Sequence, residues 1–234
     1  MSGNLTRDVV LVAHGSPDSR HARDIDALIR RVAGRAPHLR VTAAYLDHHG
    51  PSVADVGTAY SMGVGPIILV PVLLTRAFHT RVDIPDAAEG LGQASGRAVI
   101  TAEALGPHPL VATAVRELLR HRQERQVVVF LAGSSRRAAI EELVEQLRAA
   151  LGPERSYAFA TLDGYLPLAG AVRDLGGPAG VVGVAGMIAQ GVLRDRMVSQ
   201  CAEHGVPFAD GVLAQTDALA ELTLLRIGAA RPTA

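Results

Sequence analysis

Two histidines stand where a metal-binding or proton-accepting side chain could act. His14 directly follows an apolar run at 9–13, in AHGSPDSR, and His79 follows a second run at 66–72, in LLTRAFHTRVDIP. Neutral imidazoles ligate divalent transition metals and also accept protons. Either histidine alone could be an ordinary loop residue, but the pair at equivalent strand ends predicts a metal site with His14 and His79 as ligands.

A carboxylate follows the apolar run that lies between the two histidine segments. Asp47, in AYLDHHGPS, could point to the same edge as His14 and His79, or it could be a turn residue before a helix. Both interpretations stay open, because an aspartate also stands at the matching place in the second half of the chain. His48 and His49 are expected in a solvated turn, where either could assist metal delivery.

The elements that must position these residues alternate between short strands and longer helices. Apolar runs without alternation, each followed by a helical pattern, predict an α/β fold with doubly wound parallel sheets. In such a sheet the first and third strands are usually neighbours, which would bring His14 and His79 to one edge. Strands are predicted at 9–13, 41–46, 66–72, 98–102, 127–131, 156–162 and 180–185. Helices are predicted at 18–35, 52–62, 84–91, 109–122, 137–151, 193–204 and 214–227.

The chain repeats itself, which predicts two similar domains. LVAHGS at 11–16 matches FLAGSS at 130–135, AYLDHHGP at 44–51 matches ATLDGYLP at 160–167, and VPVLLTRAF at 70–78 matches VAGMIAQGV at 184–192. The offset falls smoothly from 118 through 116 to 114 residues, as an internal duplication would give. We predict domains at 1–122 and 123–234 with a ligand cleft between them. The second domain has lost both histidines.

The N-terminal half resembles the class II chelatases of the CbiX/SirB type, the sirohydrochlorin ferrochelatase and cobaltochelatase group. The resemblance rests on HGS at 14–16, AYLDHHGPSV at 44–53, PVLLTRAFHTRVDIP at 71–85 and GPHPL at 106–110. It implies the long two-domain form, with a tetrapyrrole bound between domains. His14 and His79 match the family's metal-binding histidines, and Asp47 stands where the family usually has glutamate.

The implied activity is insertion of Fe²⁺ or Co²⁺, with Ni²⁺ a further possibility, into sirohydrochlorin during siroheme or cobalamin biosynthesis. It needs no nucleotide, and the chain has no lysine for a phosphate-binding loop. Because sirohydrochlorin carries many carboxylates, Arg20, Arg76 and Arg81, which flank the histidine segments, are candidate substrate-binding residues. Ser16, at the start of a helix, is another.

The composition indicates where the protein acts and which partners it lacks. There are 23 basic and 23 acidic residues, so no net field favours nucleic acid or an anionic membrane. The longest apolar stretch, at 64–74, is too short to span a bilayer, and the N-terminus has no signal-peptide pattern. Cys201 is the single cysteine, as expected of a cytoplasmic protein. The duplication would supply both walls of a cleft, so we expect a monomer.

Two other functions fit parts of the pattern. The same fold could carry a tetrapyrrole or a metal without catalysis, because fold does not fix function. A metal-dependent hydrolase would need a further acidic ligand, and only Asp47 and Asp83 lie near the histidines. His108 in GPHPL is expected to start a helix.

Overall fold

The computed structural model describes residues 7–75 and 82–232. Seven strands and eight helices alternate along these residues. The strands are β1 (Arg7–Ala13), β2 (Leu39–Tyr45), β3 (Ile67–Pro71), β4 (Val99–Thr101), β5 (Gln126–Leu131), β6 (Ser156–Thr161) and β7 (Val181–Ala185). The helices are α1 (Ser19–Arg35), α2 (Val53–Ala59), α3 (Asp83–Ser95), α4 (Pro109–Leu118), α5 (Arg137–Ala150), α6 (Leu168–Asp174), α7 (Val192–Glu203) and α8 (Asp217–Ala229). A single 3₁₀ turn, Leu213–Gln215, precedes α8.

The strands form two parallel sheets, as the sequence predicts. The first has the order β2-β1-β3-β4 and the second the order β6-β5-β7. β1 pairs with both β2 and β3, so the first and third strands are neighbours. Parallel strands need covering on both faces, and β1 is accordingly buried from Asp8 to Ala13. The prediction of two doubly wound α/β domains is therefore confirmed.

The register of the strands reproduces the predicted duplication. In the first sheet Val9 lies opposite Val41 on β2 and Ile68 on β3. The residues in the same places of the second sheet are, in the same order, Val127, Tyr157 and Val182. The three offsets are again 118, 116 and 114. The copies differ at their edges: β4 is matched in the second half by a single bridge between Gly183 and Phe208.

Local sequence fixes where several helices begin. Ser52 caps α2 in a capping box with Asp55, as expected of a serine before this helix. The side chain of His108 accepts a hydrogen bond from the backbone N–H of Leu110 and so caps α4, which confirms its predicted structural role. α1 begins after Asp18, whose side chain accepts from the backbone of Arg20. No described helix is long and apolar enough to cross a bilayer.

The two halves share one apolar core, because each contributes a helix to the other. α8 packs beside α1 and against β3 of the first sheet, and α4 packs beside α5 and against β7 of the second. Val9 and Leu11 on β1 and Val127 and Val129 on β5 all face this common core. The outer faces of the sheets are covered separately, by α2 and α3 and by α6 and α7. We propose the division at 122–123 as the domain boundary, with α4 and α8 crossing it in their packing.

Candidate functional site

A cleft of about 460 Å³ opens where the carboxyl ends of β1, β3, β5 and β7 meet. The loop after each of these four strands contributes to its wall, and so do α1 and α5. Open α/β sheets commonly hold ligands at this edge. The described lining residues are His14–Pro17, His21, Val72–Thr75, Leu131–Gly133, Ile140, Leu143 and Gly186–Leu193.

Most of the wall is apolar, and its few polar groups come mainly from the first half. Leu73 and Leu74 come from the first half and Met187 and Ile188 from the second, while His14, Ser16 and His21 supply polar atoms. A cleft of this kind suits a ligand with broad apolar faces and a polar rim. This cavity lies where the sequence predicts a cleft between the two halves, and its role as a ligand site stays a prediction.

His14 lies exposed at the end of β1, in the cleft wall. Its ring is nearly parallel to that of His48, with centroids 6.4 Å apart and planes inclined by 17°. His48 has a left-handed backbone, with φ of +62°. His79, together with Arg76 and Arg81, lies outside the described residues, so the His14–His79 pair stays a prediction.

Asp47 stands beside His14, as the strand order requires. Its backbone N–H donates to the carbonyl oxygen of His14 at 2.9 Å. Its carboxylate is 63% exposed, accepts a hydrogen bond from the backbone N–H of His48 at 2.7 Å, and lies 3.4 Å from the His48 side chain. The carboxylate is thus held in the loop beside His14 and is open to solvent.

The matching aspartate in the second half is tied down instead. A hydrogen bond from Thr161 is the main reason that the pKa of Asp163 is lowered, and the backbone N–H groups of Tyr165 and Ser134 also lower it. Its carboxylate packs against Gly133, which has φ of +93°. Asp163 therefore has the turn role that was one of the two interpretations of Asp47, and Asp47 itself differs in keeping an exposed carboxylate.

Two further candidate substrate-binding residues, Ser16 and Arg20, already have hydrogen-bond partners within the protein. Ser16 lines the cleft, and its hydroxyl oxygen accepts from the backbone N–H of Asp18 at 3.2 Å. Arg20 bridges the two halves: its guanidinium pairs with Asp18 and, through two nitrogens at 3.0 and 2.5 Å, with Asp195 of α7. Hydrogen bonds from Arg20 lower the pKa of Asp18 to about 2. Whether Arg20 also binds substrate remains a prediction.

His21 was not singled out from the sequence, yet it lines the cleft. It lies in the first turn of α1, and its ring packs edge-on against that of Tyr45 at 6.1 Å between centroids. Its signal in the sequence is weak, because a histidine within an amphipathic helix is ordinary. What marks it is burial: its Nδ1 is buried and has no hydrogen-bond partner in the described part of the chain.

The seam beneath the cleft is held by a buried acid. Asp24 on α1 is 5% exposed, and its carboxylate accepts from the backbone N–H of Gln190 at 2.8 Å and from the side chain of Gln215 at 2.7 Å. Both donors belong to the second half. This contact fixes α1, and with it His21, against the loop that follows β7.

The described residues do not by themselves form a complete metal centre. Across 7–75 and 82–232, no three histidine, cysteine, aspartate or glutamate side chains converge on one point. His14 lines the cleft, and Asp47 and His48 nevertheless bring a carboxylate and a second imidazole next to it. These imidazole and carboxylate groups can accept protons, and each can offer a single ligand to a metal ion whose other ligands come from a second molecule.

Comparison with known proteins identifies relatives of this architecture. Residues 8–122 match the model of the CbiX family. SirB from Bacillus subtilis with Fe³⁺ superposes with a TM-score of 0.76 at 18% identity, over 95% of this chain and 94% of that one. The SirB of Bacillus subtilis subspecies spizizenii in complex with cobalt gives a TM-score of 0.73 at 17% identity, over 95% and 94% of the two chains.

A third structure extends the comparison. CbiX, described as the terminal enzyme for biosynthesis of siroheme in denitrifying bacteria, gives a TM-score of 0.71 at 20% identity and covers 97% of this chain and all of its own. None of the curated protein sequences matches the chain. At these identities the three structures establish the fold, and the family follows from the match over residues 8–122.

Proposed function

Over residues 8–122 the chain belongs to the CbiX family of the CbiX/SirB class II chelatases, and from that premise we propose that it inserts a divalent metal ion, Fe²⁺ or Co²⁺, into sirohydrochlorin. The observation that carries the proposal is the cleft. It joins the ends of four strands, has an apolar wall drawn from both halves, and carries His14 in that wall beside exposed Asp47.

The tetrapyrrole would lie in this cleft with its flat ring against the apolar wall. Its carboxylates would meet Ser16 at the mouth and the guanidinium groups of Arg20, Arg76 and Arg81. Arg20 would have to share its donors with Asp18 and Asp195, which it already binds. One chain supplies both walls, which supports action as a monomer, and the proposed setting is the cytoplasm.

Metal insertion requires that ligands be exchanged and that two protons leave the ring. We assign His14 and His79 to hold the incoming metal while its waters are replaced by ring nitrogens. The Asp47 carboxylate, which is open to solvent, would accept a proton or help to pass it on. Insertion of iron would give siroheme, and insertion of cobalt would lead towards cobalamin.

The test is anaerobic insertion of Fe(II), Co(II) and Ni(II) into sirohydrochlorin, followed by absorbance. Wild type should accelerate insertion above the uncatalysed rate, and the metal with the highest rate is read directly. His14→Ala and His79→Ala should lose the acceleration and keep the wild-type unfolding curve. His38→Ala is the matched control, because His38 lies exposed at the opposite edge of the first sheet and should leave the rate unchanged.

The outcomes separate the proposal from its rivals. If wild type binds sirohydrochlorin but insertion stays at the uncatalysed rate, the protein is a carrier and the enzymatic proposal fails. If neither binding nor insertion is seen, the cleft serves a different ligand. Phosphatase or esterase turnover in place of insertion would revive the hydrolase alternative.

A further inference from the structure

His21 occupies a fixed position in the wall of the cleft. It is the third residue of α1, and the backbone N–H of His21 donates to the carbonyl oxygen of Asp18 at 3.0 Å. One turn later the buried side chain of Asp24 is bound by two donors from the second half, so α1 cannot shift without breaking these hydrogen bonds. The ring of His21 is therefore presented to the cleft by a rigid element, not by a mobile loop.

The two ring nitrogens of His21 have different surroundings. Nδ1 is buried and has no hydrogen-bond partner among the described residues. Nε2 also has no hydrogen bond to any described side chain or backbone group. Unlike Nδ1, however, Nε2 is not buried. Because the ring lines the cleft and Nδ1 is buried, we infer that Nε2 is the nitrogen that faces the space where a ligand would lie.

This asymmetry determines the tautomer. An orphaned N–H group in the interior is costly and rare, whereas an unused lone pair is better tolerated. Neutral His21 should therefore carry its lone pair on Nδ1 and its proton on Nε2. Burial lowers the pKa of His21, and nearby His49 and His14 lower it further, against the opposing effect of Asp24 and Asp18. The ring is thus neutral at pH 7, with its N–H facing the cleft.

The ring is also locked in orientation. Tyr45, which is 4% exposed, packs edge-on against His21 and also lies edge-on to His49, with centroids 4.9 Å apart. Rotation of the imidazole would have to displace this buried aromatic ring. A donor held in this way, in a wall that is otherwise mostly apolar, has no acceptor among the described residues, and a ligand in the cleft could supply one.

We propose that His21 is a substrate-binding residue that donates its Nε2–H to a carboxylate of the tetrapyrrole. The inference rests on the proposed function and adds to it a residue that lies beyond the metal-binding histidines. A carboxylate is the strongest acceptor on such a ligand, and its hydrogen bond to a fixed neutral donor sets where the ring stops in the cleft. His21 thereby orients the substrate and does not take part in proton removal.

The alternative of a general base is disfavoured by the same geometry. If Nε2 accepted a proton from the substrate, the imidazole would need an N–H on buried Nδ1, where no described group can accept it. The two roles make different kinetic predictions. Loss of a base lowers kcat and changes its pH profile, whereas loss of a binding donor raises KM for the tetrapyrrole and leaves kcat nearly unchanged.

The experiment compares His21→Phe, which keeps a flat ring against Tyr45, with His21→Gln, which keeps an N–H donor. Metal-free sirohydrochlorin is titrated by fluorescence under anaerobic conditions, and Co(II) insertion is measured to give kcat and KM. We expect His21→Phe to weaken sirohydrochlorin binding about tenfold and to raise KM equally, with kcat within about twofold. His21→Gln should recover most of the affinity. His38→Phe serves as the control on an exposed histidine far from the cleft.

Each result bears on the inference. Unchanged binding by His21→Phe, or a His21→Gln variant as weak as His21→Phe, overturns it. So does a hundredfold loss of kcat with unchanged binding, which would make His21 a base. If His21→Phe does not fold, the comparison of His21→Gln with wild type decides, because a retained donor should retain binding. If wild type neither binds nor metallates sirohydrochlorin, the proposed function fails and this inference fails with it, whereas failure of the inference alone leaves wild-type insertion intact.

Discussion

The carbonyl oxygen of Asp47 occupies the place where a side chain on residue 15 would begin. A Cβ atom on Gly15 would lie 1.8 Å from that oxygen, far inside contact distance, and Gly15 has φ of +97°. Two backbone hydrogen bonds hold the loops together on either side, from Leu46 to Ala13 and from Asp47 to His14. Glycine after His14 is therefore what lets the carboxylate-bearing loop lie against the histidine-bearing loop.

Substitution of this glycine should be severe. In Gly15→Ala the added methyl group meets the backbone of Asp47 and also strains a positive φ, so we expect a loss of about 3 kcal/mol in the free energy of unfolding. Urea unfolding measures it. Gly34→Ala, in α1 with open space around it, should instead stabilise by about 0.5–1 kcal/mol. Equal effects of the two changes would contradict the close packing at Gly15.

Loss of the buried Asp24 carboxylate should destabilise the protein about as much as Gly15→Ala. Asp24→Ala removes the acceptor of two donors, the Gln190 backbone and the Gln215 side chain, and leaves both without a partner. We expect a loss of about 3 kcal/mol in unfolding free energy. Asp26→Ala, on the exposed side of the same helix, should change stability by less than about 0.5 kcal/mol. A similar small effect for Asp24→Ala would show that α1 is not anchored in this way.

The ion pairs of Arg20 with Asp18 and Asp195 should make the free energy of unfolding decrease at low pH. Its hydrogen bonds hold the pKa of Asp18 at about 2, against an ordinary value of 3.8. The folded state then binds fewer protons than the unfolded state in this window, so the contribution is complete above pH 3.8 and is lost as pH falls towards 2. Arg20 also lowers the pKa of Asp195, which adds a loss of the same sign.

Arg20→Met should therefore reduce the dependence of stability on pH between pH 5 and pH 2.5. Thermal unfolding at pH 5 and at pH 2.5 gives a fall in Tm for each protein, and the fall should be smaller in Arg20→Met than in wild type. Arg30→Met, an exposed arginine on the same helix, should keep the wild-type dependence. An identical fall in all three proteins would mean that the bridge does not form in solution.

The two equivalent aspartates should separate function from stability. Asp47→Asn changes an exposed carboxylate and should leave stability unchanged while lowering metal insertion about 10²-fold, as loss of an acid–base group does. Asp163→Asn removes charge-assisted hydrogen bonds within a turn and should lower the unfolding free energy by about 1–2 kcal/mol without loss of insertion rate. The reverse pattern would show that Asp47 is only a turn residue.

Much of the fold could be predicted because its signals are local or periodic. The strand at 9–13 is apolar on both faces, the capping residue Ser52 precedes a helix, and the offsets between the halves appear both in the sequence and in the strand register. The sheet order then follows from the usual neighbours in such folds. These features depend on a few adjacent residues or on repetition along the chain.

Other features depend on contacts between distant segments and were missed for that reason. α6 is only seven residues long and, unlike the equally short α2 with its cap at Ser52, has no capping side chain to mark its start. The second-half partners of Arg20 and Asp24 lie 166 or more residues away, so nothing near these two residues in the sequence marks their contacts with the second half. His21 lies in a helix whose pattern was explained by packing, and only burial shows that one of its nitrogens lacks a partner.

The exchange of α4 and α8 has a mechanical consequence. Two domains joined only by a linker can change their relative orientation freely. Here each half also packs against a helix that belongs to the other. Because α4 and α8 belong to the apolar core that both halves share, moving one half past the other would expose apolar side chains of both to water.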